Sequence, residues 1–211
     1  MPYPKLAVKP NKTVLIIIIL FIAAFAVYAV TSIGYPTNYN YYVRLSDAFL
    51  HGRLYVVDNP NWLNELIPNS NGPGWYVVYP PLPAFLMMPF VAIWGLNLNQ
   101  TLFGFFFAAV TVPLTYLVAK SISKKQTDTA TPTKQSPYIW FAALFGFSTI
   151  FWWFASDGGV WLIAQVISAF FLFLALYEAF NKNRPLLIGL LVGASFWCRL
   201  PTILGIFSLQ P

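Results

Sequence analysis

Charge is what this chain has least of: only 9% of its 211 residues are Asp, Glu, Lys or Arg, and six of them are acidic. Soluble domains carry about a quarter charged residues, so a water-soluble globular fold is excluded and a membrane protein is expected. A single cysteine, Cys198 in an apolar stretch, leaves no disulfide framework and reads as a small buried hydrophobe rather than a reactive thiol. A single histidine, His51, has no second His or Cys near it, so a structural zinc site is unsupported. There is no Gly-rich phosphate loop, no Ser/His/Asp hydrolase pattern and no internal repeat. The net charge of +6 sits in short tracts between apolar runs. That is how topology is written, and it does not indicate nucleic acid as a partner.

What the chain has instead is length of apolar run. Val14–Val30, Thr101–Ala119, Pro137–Ala155, Val160–Phe180 and Pro185–Phe207 are each long enough to cross a bilayer. Lys5, Lys9 and Lys12 precede the first, which puts the N-terminus on the cytoplasmic side. Ala24-Phe25-Ala26 would suit a signal-peptidase site, but the run is longer than a signal core and reads as an uncleaved anchor. Pro80–Gly95 is ambiguous: it is short for a span and carries Pro89. If it crosses, Lys120, Lys124, Lys125, Lys134, Lys182 and Arg184 all fall outside. If it lies in the outer interface, every basic loop falls inside, while Asp47 and Asp157 fall outside.

The second arrangement is preferred. It gives an all-α integral protein of the cell membrane with about five transmembrane helices, and interfacial helices in a long first outer loop over residues 34–100. A cytoplasmic loop covers 120–136, an outer turn Ser156-Asp157-Gly158-Gly159 is flanked by Trp152, Trp153 and Trp161, and a short inner turn covers Asn181–Arg184.

The outer loop holds the candidate chemistry. Read as a helix, Tyr42–Arg53 puts Arg44, Asp47 and His51 on one face, with Leu45, Phe49 and Gly52 on another. Asp47 is then either a base flanked by cations or one half of a salt bridge on a solvated interfacial helix. Arg199 falls in the outer third of the last run, where it either binds a phosphate or snorkels to the interface. Asp157 is either a turn former or a second acid facing the cavity. Glu178 is expected to pair with Lys182, and Gln165 to hydrogen-bond another helix.

Ser46-Asp47 in the first outer loop, Tyr79-Pro80-Pro81-Leu82 opening an apolar run that ends in Trp94-Gly95, and a later Arg199-Leu200-Pro201 resemble the N-terminal part of the GT-C glycosyltransferases. These are polytopic enzymes that include the protein O-mannosyltransferases and the aminoarabinose transferases of lipid A. Two positions depart from the family pattern. Ala48 stands where many members have a second acid, and Tyr79 where some have Lys or His.

The resemblance implies that the chain is one transmembrane module, 1–211, from the N-terminal part of a longer protein. It also implies a polyprenyl-phosphate sugar donor, an active site facing outward, Asp47 as catalytic base, and Arg44, Arg53, His51, Arg199 and Asp157 around donor and phosphate. No cofactor is assigned, and a divalent metal is left open. A non-enzymatic transporter or assembly subunit is the alternative. A transporter would place its polar residues near the bilayer midplane rather than at the outer edge.

Overall fold

The computed structural model describes residues 11–32, 36–126 and 134–202. Among the described residues three helices are long and apolar enough to cross a membrane: α1 (Lys12–Thr31), α4 (Gln100–Gln126) and α7 (Val160–Phe180). At about 1.5 Å per residue, the 20 residues of α1 span roughly 30 Å, the thickness of a bilayer core. Exposed Leu15, Ile18, Ile19 and Ile22 line its outer side, a surface that suits lipid and not water.

The run expected as one span over Pro137–Ala155 is instead a broken pair, α5 (Ser136–Ser148) and α6 (Ile150–Ser156), bent by 59°. Thr149 makes the break. Its backbone is extended, its hydroxyl oxygen accepts from Phe151 N at 3.1 Å to cap α6, and its O–H donates to the Phe145 carbonyl at 2.7 Å. The buried Tyr28 hydroxyl of α1 donates to the Gly146 carbonyl at 2.9 Å, so another carbonyl at the broken end is satisfied. Only glycine fits there, since a Cβ on Gly146 would lie 2.7 Å from Val112 Cγ2. Counting the pair as one span gives four. The fifth expected span is represented by α8 (Pro185–Phe196), which ends three residues before Arg199. The remainder of that run, 203–207, lies outside the described residues, as do Lys5 and Lys9, residues 34 and 35 of the expected outer loop, and residues 127–133 of the expected cytoplasmic loop.

Contacts order the helices end to end. Lys120 Nζ donates to Thr13 Oγ1 at 2.8 Å, and Phe25 meets Phe105 edge-on at 6.3 Å, so α1 and α4 are antiparallel. Tyr138 donates to Ser123 Oγ, Asn181 donates to Ser121 Oγ, and Lys125 lies over the Phe180 ring. Lys12, Lys120, Lys124, Lys125, Lys134, Lys182 and Arg184 therefore gather at one end, the basic end. Thr31 bonds Ser156 and Trp152 at the other, the loop end, where the segment 36–99 also sits. Among the described residues Glu178 is the acid of the basic end. It pairs with Arg184, at 2.7 and 2.9 Å, and not with Lys182, because Asn183 in a left-handed conformation (φ 49°) turns the chain back over it.

Within the loop segment, α2 (Tyr41–Leu50) packs along α3 (Leu82–Trp94), and a small hairpin joins them, β1 (Leu66–Pro68) pairing with β2 (Trp75–Val77). The hairpin was not anticipated from the sequence. At 13 residues α3 is about 20 Å long, short of a span. Its first residue, Leu82, donates its N–H to Trp197 O just past α8, and a 3₁₀ turn (Gly95–Asn97) then leads to α4, so both of its ends stay at the loop end. The apolar side of α2, expected to lie on lipid, instead meets protein. Tyr41, Tyr42, Val43 and Leu45 join a core with Ala84 and Met87 of α3, Ile163 and Ile167 of α7, and Cys198.

This arrangement makes a topological prediction. Single cysteines placed at 124 and 182 in a Cys198→Ser background should respond alike to an impermeant thiol reagent, and cysteines at 58 and 157 should respond alike but oppositely. From the basic tracts, the first pair should label only after permeabilisation. Mixed reactivity within either pair would contradict the fold.

Candidate functional site

The face expected from helical spacing is present. Arg44, Asp47 and His51 project from one side of α2, while Tyr42, Leu45 and Ser46 are buried on the other. Ser46 Oγ holds the buried side, lying 2.6 Å from the Tyr42 carbonyl and 2.7 Å from the Ala84 carbonyl of α3. Phe49 stacks on Phe85, 4.6 Å between centroids.

The helix stops earlier than expected, at Leu50, in a Schellman turn. Gly52 N donates to Phe49 O at 3.0 Å and Arg53 N to Ala48 O at 2.8 Å, with Gly52 at φ 69°. This reversal carries Arg53 back beside Asp47, with Arg53 Nη2 3.5 Å from Asp47 Oδ2. His51 Nδ1 stands 3.5 Å from Asp47 Oδ1 and 2.8 Å from the Asp47 carbonyl, to which its N–H donates.

Arg44, Asp47 and Arg53, but not His51, line a pocket of about 250 Å³ with Ala48, Val56, Val57, Asp58 and Leu96. Asp58, which lies in the same loop but outside the Ser46-Asp47 motif and would be expected to stand apart from the site, belongs to the pocket. It forms an ion pair with Arg44, whose Nε also donates to Asn40 Oδ1 at 3.0 Å. No periodicity links positions 44 and 58; the bridge between Val56 and Trp75 folds the loop and brings Asp58 across. The pocket thus holds two carboxylates and two guanidiniums. Arg53 Nε is buried without a hydrogen-bond partner, an unmet donor beside the pocket that an anion would satisfy. Among the described residues no three His, Cys, Asp or Glu side chains come together to hold a metal ion.

Ala48 and Tyr79, the two departures from the family pattern, take structural places. Ala48 is 1% exposed, and Tyr79 packs edge-on against Tyr41 and Tyr42.

On the far side of the turn Gly95–Asn97 lies an apolar groove of about 750 Å³ between α1, α3 and α4. Phe25, Leu86, Phe90, Trp94, Phe103 and Phe106 line it, and Asn97 and Asn99 mark its polar lip. Leu96 faces the charged pocket, while its neighbours Trp94 and Asn97 face the groove.

The structure separates the other two candidates from Asp47. Arg199 lies against the buried side of α2. With the Gln165 amide turned so that its oxygen meets the guanidinium, Gln165 accepts from Arg199 Nε at 3.0 Å and Nη2 at 2.5 Å; the partner stands just past the end of α8 rather than on another helix. No described carboxylate lies within ion-pair distance of Arg199. The adjacent Tyr42 hydroxyl is buried without a partner; burial pushes its pKa up, Cys198 adds to that, and the Arg199 charge works against it. Asp157 accepts from Gly159 N at 2.7 Å as a turn former and lines a third cavity. Trp161, beside the outer turn, donates to Glu65 Oε2 at 3.1 Å and tethers the loop.

No family model, curated protein or solved structure matches the chain.

Gly52 is the positional key to this pocket. Nothing lies within 4 Å of where a Cβ would stand, so Gly52→Ala adds no clash and isolates the backbone term. A left-handed residue with a Cβ costs about 1–2 kcal/mol, so thermal unfolding should shift down by that amount. An unchanged melting temperature would show that the turn does not hold Arg53 in place.

Proposed function

We propose that the chain is a module of a membrane glycosyltransferase that moves a sugar from a polyprenyl-phosphate carrier to an acceptor hydroxyl on the extracytoplasmic side. The observation that carries this reading is the juxtaposition of a charged pocket and an apolar groove across one short turn, Gly95–Asn97. A lipid-linked phosphosugar has that division of chemistry: a long hydrocarbon chain, an anion, and a polar sugar. Only a bilayer-level groove with a charged mouth suits all three at once.

In this reading Asp47 takes the proton of the acceptor hydroxyl, and the acceptor oxygen bonds to the anomeric carbon. The bond from that carbon to the phosphate oxygen breaks, and polyprenyl phosphate leaves with the electron pair. A phosphate leaving group needs no proton, but it gains from nearby cations, the role of Arg53 and Arg44. The unmet Arg53 Nε–H favours Arg53 for the closer contact. His51, 61% exposed at its side chain, stands at the rim, where it can meet the acceptor. Arg199 and Asp157 are not needed for this step. Arg199 supports the site from behind α2 by holding the loop end to α7 through Gln165.

Reconstitution in liposomes with radiolabelled polyprenyl-phosphate hexoses tests the proposal. Asp47→Asn keeps shape and insertion but cannot take a proton, and should lower transfer by about 10²–10⁴-fold. Asp58→Asn should also impair transfer, because it frees Arg44 inside the pocket. Glu65→Gln is the neutral control, since the amide oxygen can still accept from Trp161. Transfer by Asp47→Asn at the rate of the unmodified protein would sink the assignment.

A further inference from the structure

The third cavity, about 330 Å³, lies at the loop end between α1, α6 and the turn 157–159, apart from the Asp47 pocket. It is lined by hydroxyl groups, one carboxylate and one indole, with no cation. Its walls are held in place from behind. Gln100, 1% exposed, donates through one Nε2 to both sides, to Gly158 O at 2.7 Å and Tyr39 O at 3.2 Å. Gly158 is pressed so closely onto α4 that a Cβ there would fall 2.0 Å from Thr101 Oγ1. Trp152 Nε1 donates to Thr31 Oγ1 at 3.1 Å, pinning α6 to the end of α1 and leaving Trp153 62% exposed at the cavity.

The available groups are few. Thr31 and Ser156 already bond each other and their own helices. Asp157 spends Oδ1 on Gly159 N, whereas among the described residues its Oδ2 and Trp153 Nε1 make no hydrogen bond. Thr37 Oγ1 accepts from Tyr39 N, so its own proton is available to donate.

Chemistry narrows the ligand. An anion is disfavoured, because the one charge in the cavity is a carboxylate. A hard divalent cation wants several oxygen ligands with more than one carboxylate, and this cavity has one. A hydrocarbon chain would leave the hydroxyls and the carboxylate without water. A neutral polyol with one apolar face fits all three groups: a flat C–H face on the indole, hydroxyl donors to Asp157 Oδ2, and a hydroxyl acceptor for Thr37 or the indole N–H. The volume is at the small end for a ligand cavity, the size of a single sugar unit rather than a chain.

We propose that this cleft binds one neutral hexose unit, its ring against Trp153 and its hydroxyls on Asp157 and Thr37. The inference stands apart from the transferase reading and requires no chemistry at Asp47.

The test is saturation-transfer NMR on the full chain in phosphatidylcholine nanodiscs, with methyl hexopyranosides as probes and glycerol as the acyclic control. At least one glycoside should show transfer to its ring protons, and glycerol should not. Trp153→Ala and Asp157→Asn should each weaken binding about tenfold, the worth of a hydrogen bond to a charged group or of a stacked ring. Trp153→Phe should restore part of the loss. Both variants should fold, since Trp153 is exposed and Asn can still accept from Gly159 N. Trp140→Ala, an equally exposed indole on another helix, should change nothing. Thermal unfolding in discs doped with a glycosyl diacylglycerol distinguishes a lipid-borne sugar from a free one: stabilisation that Trp153→Ala abolishes assigns the lipid-borne form. No glycoside or glycolipid response above glycerol, or a response that both variants leave intact, would overturn the proposal.

Discussion

The docking of α2 onto α3 is the contact on which the loop end depends. A ten-residue helix has little stability alone, and α2 persists because Tyr42, Leu45 and Ser46 are fully or nearly buried against α3, α7 and Cys198. Once that side is committed, helical geometry leaves Arg44, Asp47 and His51 facing away. The Gly52 turn adds Arg53 to the same side. The charged pocket is therefore a consequence of an apolar packing decision one helix face away. Its carboxylates and guanidiniums need not be desolvated in hydrocarbon, where each would cost several kcal/mol.

The same economy organises the membrane part. The end-to-end contacts make α1 and α4 antiparallel, so the 67 residues between Ser32 and Gln100 must begin and end on one side. That leaves α3 no room to cross, and it lies short and proline-interrupted beside α4, its Phe90 edge-on to Phe103. The groove beside it arises because a helix of about 20 Å cannot cover the flanks of helices that run roughly 30 Å or more. Charge follows from the same geometry. Seven of the ten described lysines and arginines collect at the basic end, and four of the five described acids collect at the loop end.

Much of this was legible in the sequence, and what escaped has identifiable physical causes. Long apolar runs announced α1, α4 and α7, and the shortness of Pro80–Gly95 is matched by the 13 residues of α3. The face of Arg44, Asp47 and His51 followed from helical periodicity alone. Other features did not. Thr149 breaks a span that hydropathy reads as continuous, because a β-branched residue that can cap the next helix competes locally with continuation. Asp58 reaches the pocket through a strand bridge with no local pattern. Glu178 prefers Arg184 to Lys182 because a left-handed asparagine reorders the turn and a planar guanidinium grips both carboxylate oxygens. Composition could not tell a lipid-facing from a protein-facing side of α2, since both are apolar.

The central claim is that pocket and groove act as one amphiphile site. Native mass spectrometry of the full chain with polyprenyl phosphate, the matching polyprenol, and inorganic phosphate tests it most directly. The account predicts that polyprenyl phosphate binds far more tightly than either part, since joining the two contacts makes the second intramolecular. Arg53→Ala should erase most of its advantage over the polyprenol. Equal affinity for polyprenol and polyprenyl phosphate, or an advantage that survives Arg53→Ala, would contradict the account.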